Sequence, residues 1–211
     1  STAIASLLCH NSCSISKLVS KFAFFPPQPP PYQLRARPPA RHAAPPRHEF
    51  HFREPPMQRA ADALAQKHNH GTTLTADKVV TRYGQTVALL HVGHPDATHT
   101  LLWSHGNAMD IGEMYFFLVQ LAVRLRVHVC AYDYSGYGPS SGSPSEENCY
   151  ADIAAVVDYL ERAHGVVPER ELVLYGQSVG SAPSLWLGAR RRVAGIVLHT
   201  PLLSGLRVLI P

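Results

Sequence analysis

The sequence predicts an α/β fold, a mostly parallel sheet with helices on both faces, and three observations carry that prediction. From Thr100 onward, apolar runs of strand length alternate with longer stretches of helical spacing, the order that packs helices on both sides of a parallel sheet. The apolar runs are continuous, as in Leu172-Val173-Leu174-Tyr175 between Glu169-Arg170-Glu171 and Gly176, which is how a strand buried on both faces reads. A G-x-S-x-G, Gly176-Gln177-Ser178-Val179-Gly180, then falls where a strand run gives way to a helical one.

Taken in order, Lys78-Val79-Val80-Thr81 and Thr86-Val87-Ala88-Leu89-Leu90-His91 flank Tyr83-Gly84-Gln85 and suggest a β-hairpin. The spacing then predicts strand 100–104, helix 111–125, strand 127–132, helix 146–164, strand 172–176, helix 181–190 and strand 195–199. Ser145 before Glu146 and Glu147 is a helix cap, and Ile153, Val156, Val157 and Leu160 keep a helical period. Pro183 fits only near the start of its helix, where N–H groups lack intrahelical partners. Met57 to His70 is read as a short polar helix.

Chance alone places a G-x-S-x-G in about one chain in fifteen of this length. The strand-turn-helix context is what gives it meaning. Flanking glycines let the chain pass through a cramped turn and expose the serine hydroxyl above a helix N-terminus. A second element supports it: Leu101-Leu102-Trp103-Ser104-His105-Gly106-Asn107-Ala108 runs from a strand into a His-Gly loop. In an α/β-hydrolase fold the loop after the third strand supplies one oxyanion-hole N–H and the residue after the nucleophile the other. These positions are Asn107 and Val179, with Ser178 as the nucleophile. His105 and Asp133 precede the serine, whereas that fold's order is serine, acid, histidine. His105 is therefore read as fixing its loop, and Asp133 as bonding the backbone of the Gly136-Gly138 loop that follows it.

Composition is uneven along the 211 residues. Residues 1–59 hold 11 of the 18 prolines and carry eight Lys and Arg against two Asp and Glu, a net of +6; the remainder carries eleven against thirteen. The overall +4 therefore belongs to the N-terminal part. Residues 26–72 read as a Pro- and Arg-rich, largely disordered arm or insertion, too poor in apolar surface to fold alone. Its charges are interleaved with proline and form no recognisable nucleic-acid-binding fold, so the expected partner is an anionic membrane surface rather than nucleic acid. Pro26-Pro27-Gln28-Pro29-Pro30-Pro31-Tyr32 is a spacer, or else a polyproline ligand for SH3- or WW-type domains. Cys130 and Cys149 are expected to be buried. Cys9 and Cys13, beside Lys17, Lys21 and Phe22-Ala23-Phe24-Phe25, suit S-palmitoylation in a membrane-attachment segment over 1–25. No metal-ligand spacing is completed, and no cofactor motif is found.

Residues 100–208 resemble the alpha/beta-hydrolase domain-containing protein 17 family and its plant relatives. The match runs through Ser104-His105-Gly106-Asn107-Ala108, Tyr132-Asp133-Tyr134-Ser135-Gly136-Tyr137-Gly138 and Ser140-Ser141-Gly142-Ser143-Pro144-Ser145-Glu146. It continues in Tyr150-Ala151-Asp152-Ile153, Tyr175-Gly176-Gln177-Ser178-Val179-Gly180 and Leu198-His199-Thr200-Pro201-Leu202-Leu203-Ser204-Gly205-Leu206-Arg207. Lys21-Phe22-Ala23-Phe24-Phe25-Pro26-Pro27 is similar to the segment that follows the family's lipidated residues, and 33–72 looks like an insertion. The resemblance implies membrane-attached serine hydrolases that remove palmitate from S-acylated proteins at the cytoplasmic face of plasma or endosomal membranes. It also implies two further strand-helix units bearing the catalytic Asp and His, whereas this sequence ends at Pro211, thirty-three residues after Ser178. Residues 73–211 are accordingly read as a partial hydrolase domain, incomplete at its C-terminus. Its serine would be weakly reactive, and an apolar sheet edge near Gly195-Ile196-Val197-Leu198 would be uncovered. Two other readings remain open: another esterase or peptidase-like α/β hydrolase, and a non-catalytic membrane-associated adaptor.

Overall fold

Side-chain alternation along the central strands fills two cores at once. In β4 (Thr86–Gly93), Val87 and Leu89 enter one cluster while Leu90 and Val92 enter the other. In β6 (His128–Tyr132), Cys130 and Tyr132 separate from Val129 and Ala131 in the same way. Successive residues of a strand point to opposite faces, so a strand covered on both sides must be apolar throughout. That is why these segments read as unbroken hydrophobic runs.

The protein was analysed as a computed structural model that describes residues 24–36, 48–67 and 71–202. The remaining strands are β1 (Tyr32–Ala36), β2 (His48–Phe52), β3 (Thr73–Val80), β5 (Thr100–Ser104), β7 (Leu172–Gln177) and β8 (Gly195–His199). They form one sheet in the order β1-β2-β3-β4-β6-β5-β7-β8. The pairs from β6 to β8 are parallel and the others antiparallel, so that only β2 and β4 run against the other strands. Helices α1 (Pro55–Lys67) and α2 (Ile111–Leu125) cover one face with Ala61, Ile111, Met114, Leu118 and Val119. Helices α3 (Glu146–His164) and α5 (Ser181–Gly188) cover the other with Ile153, Val156, Leu160 and Leu187. A single turn, α4 (Pro168–Glu171), precedes β7.

The helix boundaries have local causes. Asp110 caps α2 by accepting from Glu113 N, and Arg126 ends it in a left-handed conformation. Ser145 caps α3 by accepting from Asn148 N, and Gly165 terminates it with φ +67°. Cys130 and Cys149 are free thiols in the core, where burial raises both well above the usual range.

The arm over 26–72 requires a correction. Disorder does not describe residues 26–36 and 48–54, which contribute β1 and β2, while the short helix expected over Met57–His70 is observed as α1. β1 and β2 pair antiparallel, with Tyr32 opposite Phe52 and Leu34 opposite Phe50, and Tyr32 stacks on Phe50 at 4.3 Å. Phe50 and Phe52 in turn pack on Tyr115 of α2. The hairpin folds because it uses apolar surface on α2 instead of a core of its own. Cys9 and Cys13 lie outside the described residues. At the opposite border, β8 is an edge strand of the described sheet with Ile196, Val197 and Leu198 exposed. No helix among the described residues is long and apolar enough to cross a membrane.

Candidate active site

Parallel strands β5, β6 and β7 end on the same side of the sheet, so the loops after them share one rim. Such a rim is where open α/β sheets place their sites. Ser178 stands there, directly after β7, as the first residue of a 3₁₀ turn (Ser178–Gly180) that leads into α5. Its φ is +51°. A serine in the left-handed region costs of order 1–3 kcal/mol and persists only where its surroundings force it.

The two flanking glycines show what forces it. A Cβ on Gly176 would lie 2.7 Å from both Gly180 O and Ser181 Cα, and one on Gly180 would lie 2.1 Å from Ser104 O. The turn is thus pressed against its own helix on one side and against the end of β5 on the other. Ser181 Oγ donates to Ser178 O at 2.6 Å and accepts from Leu202 N at 3.1 Å, closing the turn from behind. Val179 sits in the 3₁₀ turn that leads into the helix, at the end where backbone N–H groups lack helical partners and favour negative charge.

Asn107 is on the loop after β5, beside the same turn: a Cβ at Gly106 would be in ordinary contact with the Gln177 side chain at 3.6 Å. Ala108, the next residue, also has a left-handed φ of +54°. The Asn107 carboxamide oxygen accepts from Ala108 N at 2.9 Å, Tyr137 Oη at 2.8 Å and Phe25 N at 2.8 Å. Ser178, Val179 and the Asn107 loop are therefore neighbours. Among the described residues, no hydrogen bond joins Ser178 Oγ to a histidine or a carboxylate.

His105 and Asp133 are buried under the rim. His105 Nδ1 is 2.8 Å from Gly106 O and Nε2 is 3.5 Å from Asp133 Oδ1. Against the sequence reading, Asp133 reaches the loop that follows it only through its backbone, its carbonyl oxygen accepting from Ser140 Oγ at 2.8 Å, and its carboxylate turns elsewhere. It accepts from Ile111 N at 2.9 Å and from the Tyr32 hydroxyl. The loop Ser135–Gly138 is held instead by Asp152, which accepts from Ser135 N at 2.7 Å and from Ser135 Oγ at 2.8 Å. Tyr32 was missed as a site-supporting residue because its partner is 101 positions away, and no local pattern encodes that pairing.

Asp110 gives this support a pH dependence. Burial first, then the Asp133 carboxylate, push the Asp110 carboxyl up to about 7. Oδ1 caps α2, while Oδ2 has no hydrogen-bond partner among the described residues. An unfolded aspartate titrates near 3.9, so the folded state holds the proton more tightly. The stability from this group is fully present below about pH 4 and is lost as pH rises through about 7. Asp110→Asn keeps the capping oxygen and cannot ionise. Its melting temperature relative to the unaltered protein should therefore rise from pH 5 to pH 8. A constant difference across that range in thermal unfolding would refute the assignment.

Comparison with known proteins bears on the fold and the family. Residues 100–208 match the family model described as alpha/beta hydrolase fold. Alpha/beta hydrolase domain-containing protein 17C of Xenopus tropicalis is 39% identical over 209 residues, covering 97% of this chain and 67% of the relative. The chain belongs to this family. Its human 17C member is 50% identical over 117 residues, covering 56% of this chain and 35% of that protein. Among solved structures, an alpha-beta hydrolase from Vibrio vulnificus aligns with TM-score 0.57 at 19% identity, covering 74% of this chain and 54% of the other. The esterase Pf2001 of Pyrococcus furiosus aligns with TM-score 0.54 at 17% identity, covering 66% and 53%. These structural likenesses speak for the fold. The family match makes the chain's chemical class that of a hydrolase.

Proposed function

We propose that Ser178 is the nucleophile of a serine hydrolase that cleaves S-acyl thioesters on membrane-associated proteins, with the Asn107 and Val179 amides as its oxyanion hole. The observation that carries this reading is the strained Ser178 (φ +51°) between two glycines that tolerate no side chain, set against the Asn107 loop. Strain of this kind at a strand-helix turn is the geometry of a nucleophile elbow. The thioester substrate class and the membrane setting rest on the resemblance of the chain's motifs to the family.

In the reaction, Ser178 Oγ attacks the thioester carbonyl and loses its proton to a general base. The two amides receive the charge that develops on the carbonyl oxygen. The C–S bond breaks, cysteine leaves as the thiol with the proton, and the acyl group remains as an ester on Ser178. Water then cleaves that ester, releasing the fatty acid and the free serine. Acylation at Cys9 and Cys13, with the basic N-terminal part against anionic lipid, would hold the enzyme at the cytoplasmic face of the membrane where its substrates lie.

Substrate profiling tests the class. Acyl thioesters are expected to be turned over in preference to peptides, and a preference for peptides would sink the thioesterase reading. For the membrane part, Cys9→Ser combined with Cys13→Ser should weaken partitioning to anionic vesicles; unchanged partitioning would reject it.

A further inference from the structure

We infer that residues Phe24–Tyr32 form a strap whose role is to position the oxyanion loop, with the Asn107 side chain as the joint between them. This inference rests on the reading of Asn107 N as an oxyanion donor. Two anchors define the strap. At its start, Phe25 N donates to Asn107 Oδ1 at 2.8 Å and to Tyr137 Oη at 3.1 Å, while Tyr137 Oη donates to the same Asn107 oxygen. Phe24 is buried in the cluster that contains Val179, with its ring edge-on to Tyr137 at 6.4 Å. At its end, the buried Tyr32 donates to Asp133, which also accepts from Ile111 N at the start of α2. A Cβ at Gly112 would lie 2.5 Å from the Tyr32 ring, so α2 is packed directly on it.

The strap therefore brackets the oxyanion loop at both ends, at Asn107 and at the N-terminus of α2. Between the anchors Phe25 and Tyr32, five of six residues are proline, which stiffens the segment and fixes the span between them. The loop has need of such a brace. Ala108 is strained, and an oxyanion donor works only if it is already in place when charge develops. Left to itself, a loop with a left-handed alanine would relax and carry the Asn107 amide with it.

The test uses the full chain and three substitutions: Phe25→Pro, which removes the donating N–H at an exposed residue; Asn107→Ala, which removes the acceptor but keeps the backbone amide; and Asn107→Asp, which restores an acceptor. Hydrogen exchange of the amides at 107–111 should quicken by about tenfold in the first two, as expected from losing a hydrogen bond of ordinary net strength. Exchange within α3 should not change, and Asn107→Asp should return the loop to its original rate. In thioester turnover the first two should lower kcat with KM unchanged, the pattern of an interaction made in the transition state. Unaltered exchange at 107–111 in Phe25→Pro overturns the strap, as does quickened exchange with unaltered kcat. Failure of Ser178→Ala to change turnover would instead overturn the hydrolase reading and leave the hold on the loop standing.

Discussion

Ser178→Ala is expected to abolish labelling by a fluorophosphonate probe and to lower thioester turnover to the rate that binding and the oxyanion hole alone supply. The substitution should leave the fold alone, because alanine meets the same backbone strain as serine at φ +51°. Ser178→Gly separates the two roles further. Glycine occupies the left-handed region freely, so relief of about 1 kcal/mol should raise the melting temperature by about 2–4 °C while activity is lost as in the alanine variant. A stabilised, inactive glycine variant would show that the fold carries strain at this residue for the sake of its chemistry. An active alanine variant would remove Ser178 from the mechanism.

The second large effect is structural. Gly180→Ala should destabilise the protein by about 3 kcal/mol or more, read as a melting temperature lower by about 6–12 °C. The added Cβ would stand 2.1 Å from Ser104 O, 2.6 Å from Ser104 C and 2.8 Å from His105 O. These are backbone atoms at the end of a central strand, and no rotamer change can clear them. The only relief is to move the nucleophile turn away from β5, which would also carry Val179 away from Asn107. A variant that unfolds at the unaltered temperature would contradict the close approach of these two loops.

The central part of the fold was legible in the sequence for a physical reason. Strands buried on both faces must be apolar at every position, as Val129-Cys130-Ala131-Tyr132 and Leu172-Val173-Leu174-Tyr175 are, and helices α2 and α3 carry caps at Asp110 and Ser145. Strand β8 and the 78–91 hairpin followed from the same patterning. The N-terminal hairpin was not read, although Tyr32, Leu34 and Phe50, Phe52 do alternate. Its prolines and arginines outweighed that signal, and the surface it packs on, around Tyr115, lies far along the chain. The G-x-S-x-G announced its turn because the steric demand there is local to five residues. The supports of the rim were not visible in the same way. Phe25 to Asn107 spans 82 positions and Tyr32 to Asp133 spans 101, and a contact at that separation leaves no period or motif.

The central claim is that an acyl group passes through Ser178, and an acyl-enzyme trap measures that directly. The protein is incubated with a palmitoyl thioester peptide, quenched in acid at early times, digested and mapped by mass spectrometry. A palmitoyl adduct on Ser178, in the peptide that begins at β7 and runs into α5, is the expected result, lost in Ser178→Ala. Thioester turnover without an adduct at Ser178, or with the adduct on another residue, would contradict it.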